Sequence, residues 1–214
     1  MNLTRNSGLL ASALALVLLA GGGCAADTEE PDDAELDEIE SGSGGEVETV
    51  VRRLTDLSVV SGAEAELTRT RWGHWVEEET RELPPGHIVT MFYVIFNDPE
   101  NCTHPLPPLA TCTTPDLSNP ATNASALWIE GRKIGSDGRG DFDNFVRPGV
   151  SGAPGEVVFG PGLVDLYGSE IHFLTRDKGL PIAGREEEQK RTFAGGCEVS
   201  TCQDLQVGIF LRAR

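Results

Sequence analysis

The 214 residues suffice for one folded domain with appendages and argue against two full domains. The formal net charge is -17 at pH 7, and eleven acidic residues between positions 27 and 48, uninterrupted by Lys or Arg, supply most of it. Acidity of this kind argues against nucleic acid, whose phosphates need a basic face, and against an electrostatic dock on anionic lipid.

Residues 1–23 have the layout of a secretory signal: Arg5, an apolar run over residues 9–19 (LLASALALVLL), and small residues before Cys24. The run is short for a membrane span, which needs about 20 apolar residues. The stretch Leu19-Ala20-Gly21-Gly22-Gly23-Cys24 resembles the lipobox of bacterial lipoproteins, in which the signal is cut before the cysteine and the new N-terminal Cys is acylated. Gly23 fits that pattern and Gly21 departs from it. Lipidation of Cys24 is the expectation, and a cut after Ala26 is the competing one. Residues 24–46 then read as a disordered acidic tether, because like charges repel and little apolar surface is available to bury. Such a tether would hold a domain about 25–30 Å from its anchor.

The folded domain is assigned to residues 47–214. Residues 47–54 (VETVVRRL) fit a first strand or a short helix, and residues 63–70 alternate partly. Residues 71–75 (RWGHW) predict a turn, with 76–83 returning as a polar strand. Pro84-Pro85-Gly86 then breaks the chain. Residues 87–96 (HIVTMFYVIF) are rich in β-branched and aromatic side chains and apolar at successive positions, which predicts a buried central strand. A long polar loop follows over residues 100–124 with five prolines. Loops of that length are stapled or functional.

Residues 125–134 and 139–146 flank Gly135-Ser136-Asp137-Gly138, and Asp-Gly between strand-like runs predicts a hairpin. Further strands are predicted at 157–159, 170–176 and 205–212. The fold class expected is all-β: an antiparallel β-sandwich or partly open barrel with disulfide-stapled loops.

Besides Cys24 there are four cysteines, Cys102, Cys112, Cys197 and Cys202. An even count in an exported chain favours disulfides. Three pairings are possible, and the two that close short loops, Cys102–Cys112 and Cys197–Cys202, are preferred. No C-x-x-C spacing points to zinc.

Three groups of residues carry a family resemblance. They are Leu83-Pro84-Pro85-Gly86-His87 leading into residues 93–102 (YVIFNDPENC), Phe159-Gly160-Pro161-Gly162-Leu163, and Glu170-Ile171-His172 with Gly195-Gly196-Cys197. Together they resemble a group of bacterial secreted proteins with no assigned activity, and more distantly are similar to chordin-type (CHRD) β-sandwich domains. The resemblance implies a β fold and an extracytoplasmic address and adds no mechanism.

No phosphate loop, dinucleotide fingerprint or zinc-protease motif is present, so no cofactor is expected. Gly149-Val150-Ser151-Gly152 lacks the final Gly of a nucleophile elbow, since position 153 is Ala. Asp137, Asp141 and Asp143 cluster at the expected hairpin tip without the ordered spacing of a calcium loop. Arg139-Gly140-Asp141 matches an adhesion tripeptide that chance produces often, and Asn101 and Asn123 begin glycosylation sequons.

Two expectations about function remain. The first is a non-enzymatic binding module on a bacterial envelope, held to the membrane only by its lipid, whose partner meets the 100–124 loop together with Trp72 and Trp75. The second is a copper or zinc protein using His87 and His172, with His74 or His104 as further ligands.

Overall fold

The strand Ile88–Phe96 has all nine side chains buried, and the architecture explains why both of its faces are covered. A computed structural model describes residues 45–149, 156–199 and 202–213. The signal segment, Cys24, nearly all of the tether and residues 150–153 of the elbow-like stretch lie outside them. The elements are β1 (Glu46–Arg53), β2 (Val59–Thr70), β3 (Gly73–Thr80), β4 (Ile88–Phe96), β5 (Ala124–Lys133), β6 (Gly140–Val146), β7 (Glu156–Phe159), β8 (Glu170–Asp177), α1 (Glu186–Arg191) and β9 (Gln203–Phe210). Residues 47–53 are therefore strand, Leu54 opens the following turn, and Glu46, placed in the tether by the sequence, already belongs to β1.

All nine strands form one antiparallel sheet in the order β6-β3-β2-β1-β9-β8-β4-β5-β7. The sheet curls so that β1 to β6, β8 and β9 share one interior core, which includes Leu67, Met91, Tyr93, Ile129, Phe142 and Phe173. Of the two arrangements the strand pattern allows, the partly open barrel is formed. β3 shows the logic residue by residue: His74, Val76, Glu78 and Thr80 are buried inward, while Trp75, Glu77 and Glu79 face solvent.

A smaller second core lies on the outer side of β4 and β5. Val94, Phe96, Cys112 and Ala126 are buried there with Leu117, Val158 and Leu174 packed against them. Two segments outside the sheet cover this side. One is the 97–124 loop, closed by Cys102–Cys112, and the other is the stretch from β8 to β9, closed by Cys197–Cys202. Both bonds follow the short-loop pairing, and each contributes about 2–3 kcal/mol in the chain-entropy account.

The expected hairpin around residues 135–138 is not formed. β5 pairs with β4 and β7, whereas β6 pairs with β3. The turn itself exists, with Gly138 N–H donating to the Gly135 carbonyl at 3.2 Å. Its flanks are separated by the Leu83–His87 stretch, which bonds to both sides. Leu83 N–H donates to the Gly138 carbonyl (3.0 Å), and Ile134 N–H donates to the His87 carbonyl (2.8 Å). Buried Leu83 fills the wedge, where a Cβ on Gly140 would lie 2.6 Å from its Cδ1. That packing accounts for the Gly of the adhesion-like tripeptide. β6 still lies beside β5, joined by a bond from Asn144 Nδ2 to the Ile129 carbonyl (3.2 Å) and by no ladder. The turn predicted over residues 71–75 shrinks to Arg71-Trp72, because Gly73 already opens β3.

Candidate functional site

The 97–124 loop contains three short 3-10 turns, so its order comes from side chains that satisfy its backbone. Asp116 is buried and accepts from the N–H groups of Thr103 (2.8 Å) and Thr113 (3.0 Å), and His104 Nδ1 lies 3.1 Å from the same carboxylate. Burial works to raise its pKa, yet these N–H bonds and the imidazole win and hold it down to about 2. Glu170, the first residue of β8, ties this loop to the sheet. Its buried carboxylate accepts from Thr111 N–H (3.0 Å) and Cys112 N–H (2.9 Å) and pairs with His172 Nε2 at 2.9 Å. Against the opposing effect of burial, His172 and the two N–H groups keep Glu170 below the ordinary carboxylate range. Asn97 joins the far end of the loop to the 160s. Its amide donates to the carbonyls of Asn123 (2.8 Å) and Gly162 (3.0 Å), and its oxygen accepts from Val164 N–H (2.8 Å).

The second covering segment is fixed the same way. The Lys178 ammonium, buried between β8 and this segment, donates to the carbonyls of Thr192 (2.8 Å) and Phe193. Burial, with Arg176 nearby, lowers its pKa to about 8. Gln189 of α1 accepts from Ile182 N–H (2.7 Å) and donates to the carbonyls of Lys178 and Leu180. Trp128 Nε1 donates to the Lys190 carbonyl (2.6 Å), and this carbonyl would lie only 2.2 Å from a Cβ on Gly131. The close approach of α1 to β5 therefore requires glycine at position 131.

Between the two segments the outer face of β4, β8 and β9 remains open as an apolar groove of about 220 Å³. Phe92, Val94, Phe96, Leu174 and Val207 form its floor, and Leu117 and Phe193 stand on opposite lips. Phe193 packs edge-on against Phe92 with ring centroids 5.2 Å apart. The charged groups and the imidazole at the groove already have partners. Arg176 makes a two-pronged pair with Asp204 (2.5 and 2.9 Å), and His172 is held by Glu170. The groove thus offers shape and apolar area and no uncommitted charge, which suits an uncharged apolar group.

The residues singled out in the sequence are distributed elsewhere. Trp72 and Trp75 are 66% and 57% exposed. Trp72 lies under the Arg71 guanidinium, and Trp75 stacks on Phe145 of β6 at 4.7 Å. Neither lines the groove, which joins the loop to β4, β8 and β9 and not to the tryptophans. His87 pairs with Asp177 at 2.9 Å, at the end of β8 opposite to His172. Five residues along a strand separate Asp177 from His172, about 17 Å. His74 is inside the barrel, bonded to Tyr93 and to the Leu166 carbonyl (2.6 Å), and burial lowers its pKa to about 4. His104 stays on the loop with Asp116. The four histidines therefore occupy four separate places, and among the described residues no three His, Cys, Asp or Glu side chains converge as a metal site. Asp141 and Asp143 project outward from β6 beside Glu79 and Glu77, away from Asp137 on the turn.

The groove residues Phe92, Val94 and Phe96 were visible in the sequence as a buried strand. Leu174, Val207 and Phe193 carried no local signal that they would join it. Comparison of the chain with protein-family models, with curated proteins and with solved structures finds no match in any of the three.

Proposed function

We propose that this chain is an exported, non-enzymatic binding module whose ligand seat is the apolar groove over β4, β8 and β9. It takes an uncharged aromatic or branched aliphatic group, presented by a partner or by a small molecule at the cell surface. The carrying observation is that an apolar groove of about 220 Å³, floored by buried aromatic and aliphatic side chains on the outer side of a sheet, stays open between two disulfide-closed segments. Surface of that kind marks a site for contact. The two disulfides fit an oxidising, extracytoplasmic space. Removal of residues 1–23 and acylation of Cys24 belong to the same proposal, so that a lipid anchor and acidic tether would display the domain on a bacterial envelope. No cofactor and no nucleic acid enter this reading. The resemblance to chordin-type domains is also kept as a proposal, supported by where its residues fall, since Asn97 bonds to Gly162 and Glu170 anchors the 97–124 loop. The copper or zinc alternative loses its motivation with His87 and His172 so far apart.

The test uses an uncharged fluorescent probe, N-phenyl-1-naphthylamine. The native protein is expected to bind it saturably, and Leu174→Trp, which fills the groove, is expected to lose that binding while keeping its melting temperature. Equal binding by both proteins would refute the seat. Intact mass of protein purified from bacterial membranes reads the maturation separately. Diacylglycerol on a chain beginning at Cys24 is expected, and an unmodified chain beginning at Asp27 would refute the anchor.

A further inference from the structure

Glu78 sits at the centre of β3, and strand alternation puts it inward with Val76 and Thr80. It is fully buried, and neither carboxylate oxygen has a hydrogen-bond partner. Its cross-strand neighbours are Ala65 of β2 and Phe142 of β6. Room for it comes from small residues: a Cβ on Gly208 of β9 would lie 3.0 Å from the Ala65 Cβ and 3.7 Å from Glu78 Oε2.

The charged and titratable groups that share the interior are occupied elsewhere. From β2, Arg69 donates to the carbonyls of Ser169 (3.3 Å) and Leu211 (3.0 Å). From β3 and β4, His74 and Tyr93 bond to each other, four residues or about 13 Å along the strand from Glu78. From β5, Arg132 reaches over the Phe142 ring at 5.0 Å and bonds to Glu130 through Nη2; its buried Nε has no partner, yet burial is the one cause acting on Glu78, so this charge does not compensate it. From β1, Arg53 is paired with Glu82 at the mouth. The other groups offered by β8 and β9, Thr175 and Gln206, are uncharged, and Gln206 is bonded to Thr80 and to the Arg81 carbonyl. An ionised carboxylate here would be buried with no compensating charge, which proteins avoid by keeping the proton.

β6 is a sheet edge. On one side it pairs with β3, opposite Glu78, and on the other it meets β5 through the Asn144–Ile129 bond and the Arg132–Phe142 contact, without a ladder. Water reaches Glu78 by the least disruptive route if this seam parts.

We propose that Glu78 is a proton-operated latch on the β5–β6 seam. Protonated, it stays inside and the sheet remains curled. When the proton leaves to solvent, the carboxylate draws water in, β6 moves off β5, and the barrel interior becomes accessible. Burial alone raises the Glu78 pKa to about 8, which sets the latch just above neutral pH. Linkage then favours opening roughly tenfold per pH unit between pH 6 and 8, with a plateau above. This inference is independent of the groove.

Amide hydrogen exchange, corrected for the chemical rate, provides the test. β6 and β3 amides of the native protein are expected to lose about 100-fold protection between pH 6 and 8, while Glu78→Gln keeps its protection. Equal pH dependence in the two proteins overturns the proposal. Should Glu78→Gln fail to fold, the assigned Glu78 carboxyl carbon of the native protein decides by NMR. Titration above pH 7 together with β6 deprotection supports the latch, and titration near pH 4.5 overturns it.

Discussion

The outer side of the sheet has two halves that obey different rules. Over β1, β2, β3 and β6 it is bare. Cross-strand rows place Glu48, Glu66, Glu77 and Asp143 side by side, and next to them Glu64, Glu79 and Asp141. Over β4, β5 and β8 it is covered by two stapled segments and built of aromatic and aliphatic residues. The bare half forgoes sheet pairing energy, because like charges opposite each other repel. It gains a face that resists both apolar association and edge-on stacking. The covered half is the one proposed to hold a ligand, because its apolar groove lies between elements fixed in place.

The largest expected contrast comes from truncating each half. Phe92→Ala removes a fully buried ring that underlies Phe193, and is expected to cost about 3–5 kcal/mol in urea unfolding. Glu66→Ala, on the bare half, is expected to change stability by less than about 0.5 kcal/mol. Similar costs at both sites would erase the distinction.

pH separates the halves next. The folded Asp116 pKa lies below its unfolded value near 3.8, so its contribution is present above that value and is lost as pH falls toward 2. About 2 kcal/mol should disappear between pH 4 and pH 2, and Asp116→Asn should flatten that part of the curve. Glu78, under the bare half, has the opposite sign. Its folded pKa is raised, so stability is fullest below about pH 4.5 and declines as pH rises toward 8. A stability curve with acid loss alone would contradict the arrangement around β3.

The smallest effect lies on the acidic rows. Glu66→Lys turns a like-charge pair with Glu77 into an opposite one, and a small rise in melting temperature is expected at low salt, fading at high salt. A drop in melting temperature would mean that the rows are held by something other than repulsion.

Much of this was legible in the sequence, and the exceptions share a cause. β4 announced itself by an unbroken apolar run, which requires cover on two sides. The short spacing of the cysteines predicted their pairing. The Asp-Gly turn predicted a turn correctly, but turn chemistry is local, and strand partners are chosen by what wedges between them, here Leu83. The site was half visible for the same reason: β4 supplies its floor from one run, whereas Leu174, Val207 and Phe193 arrive through long-range pairing. Trp72, Trp75 and the histidines drew notice by residue type, and type alone does not bring side chains together. Glu170 and Asp116 were hidden because their partners are backbone N–H groups. Glu78 did leave a trace, since strand parity aligns it with Val76 and Thr80 and apart from Glu77 and Glu79.

Whether the covered half is the binding half can be read from one NMR titration of the native protein with N-phenyl-1-naphthylamine, following methyl and indole signals together. Shifts confined to the methyls of Val94, Leu174 and Val207, with the Trp72 and Trp75 indoles unmoved, are the predicted result. Indole shifts with silent groove methyls would contradict the account.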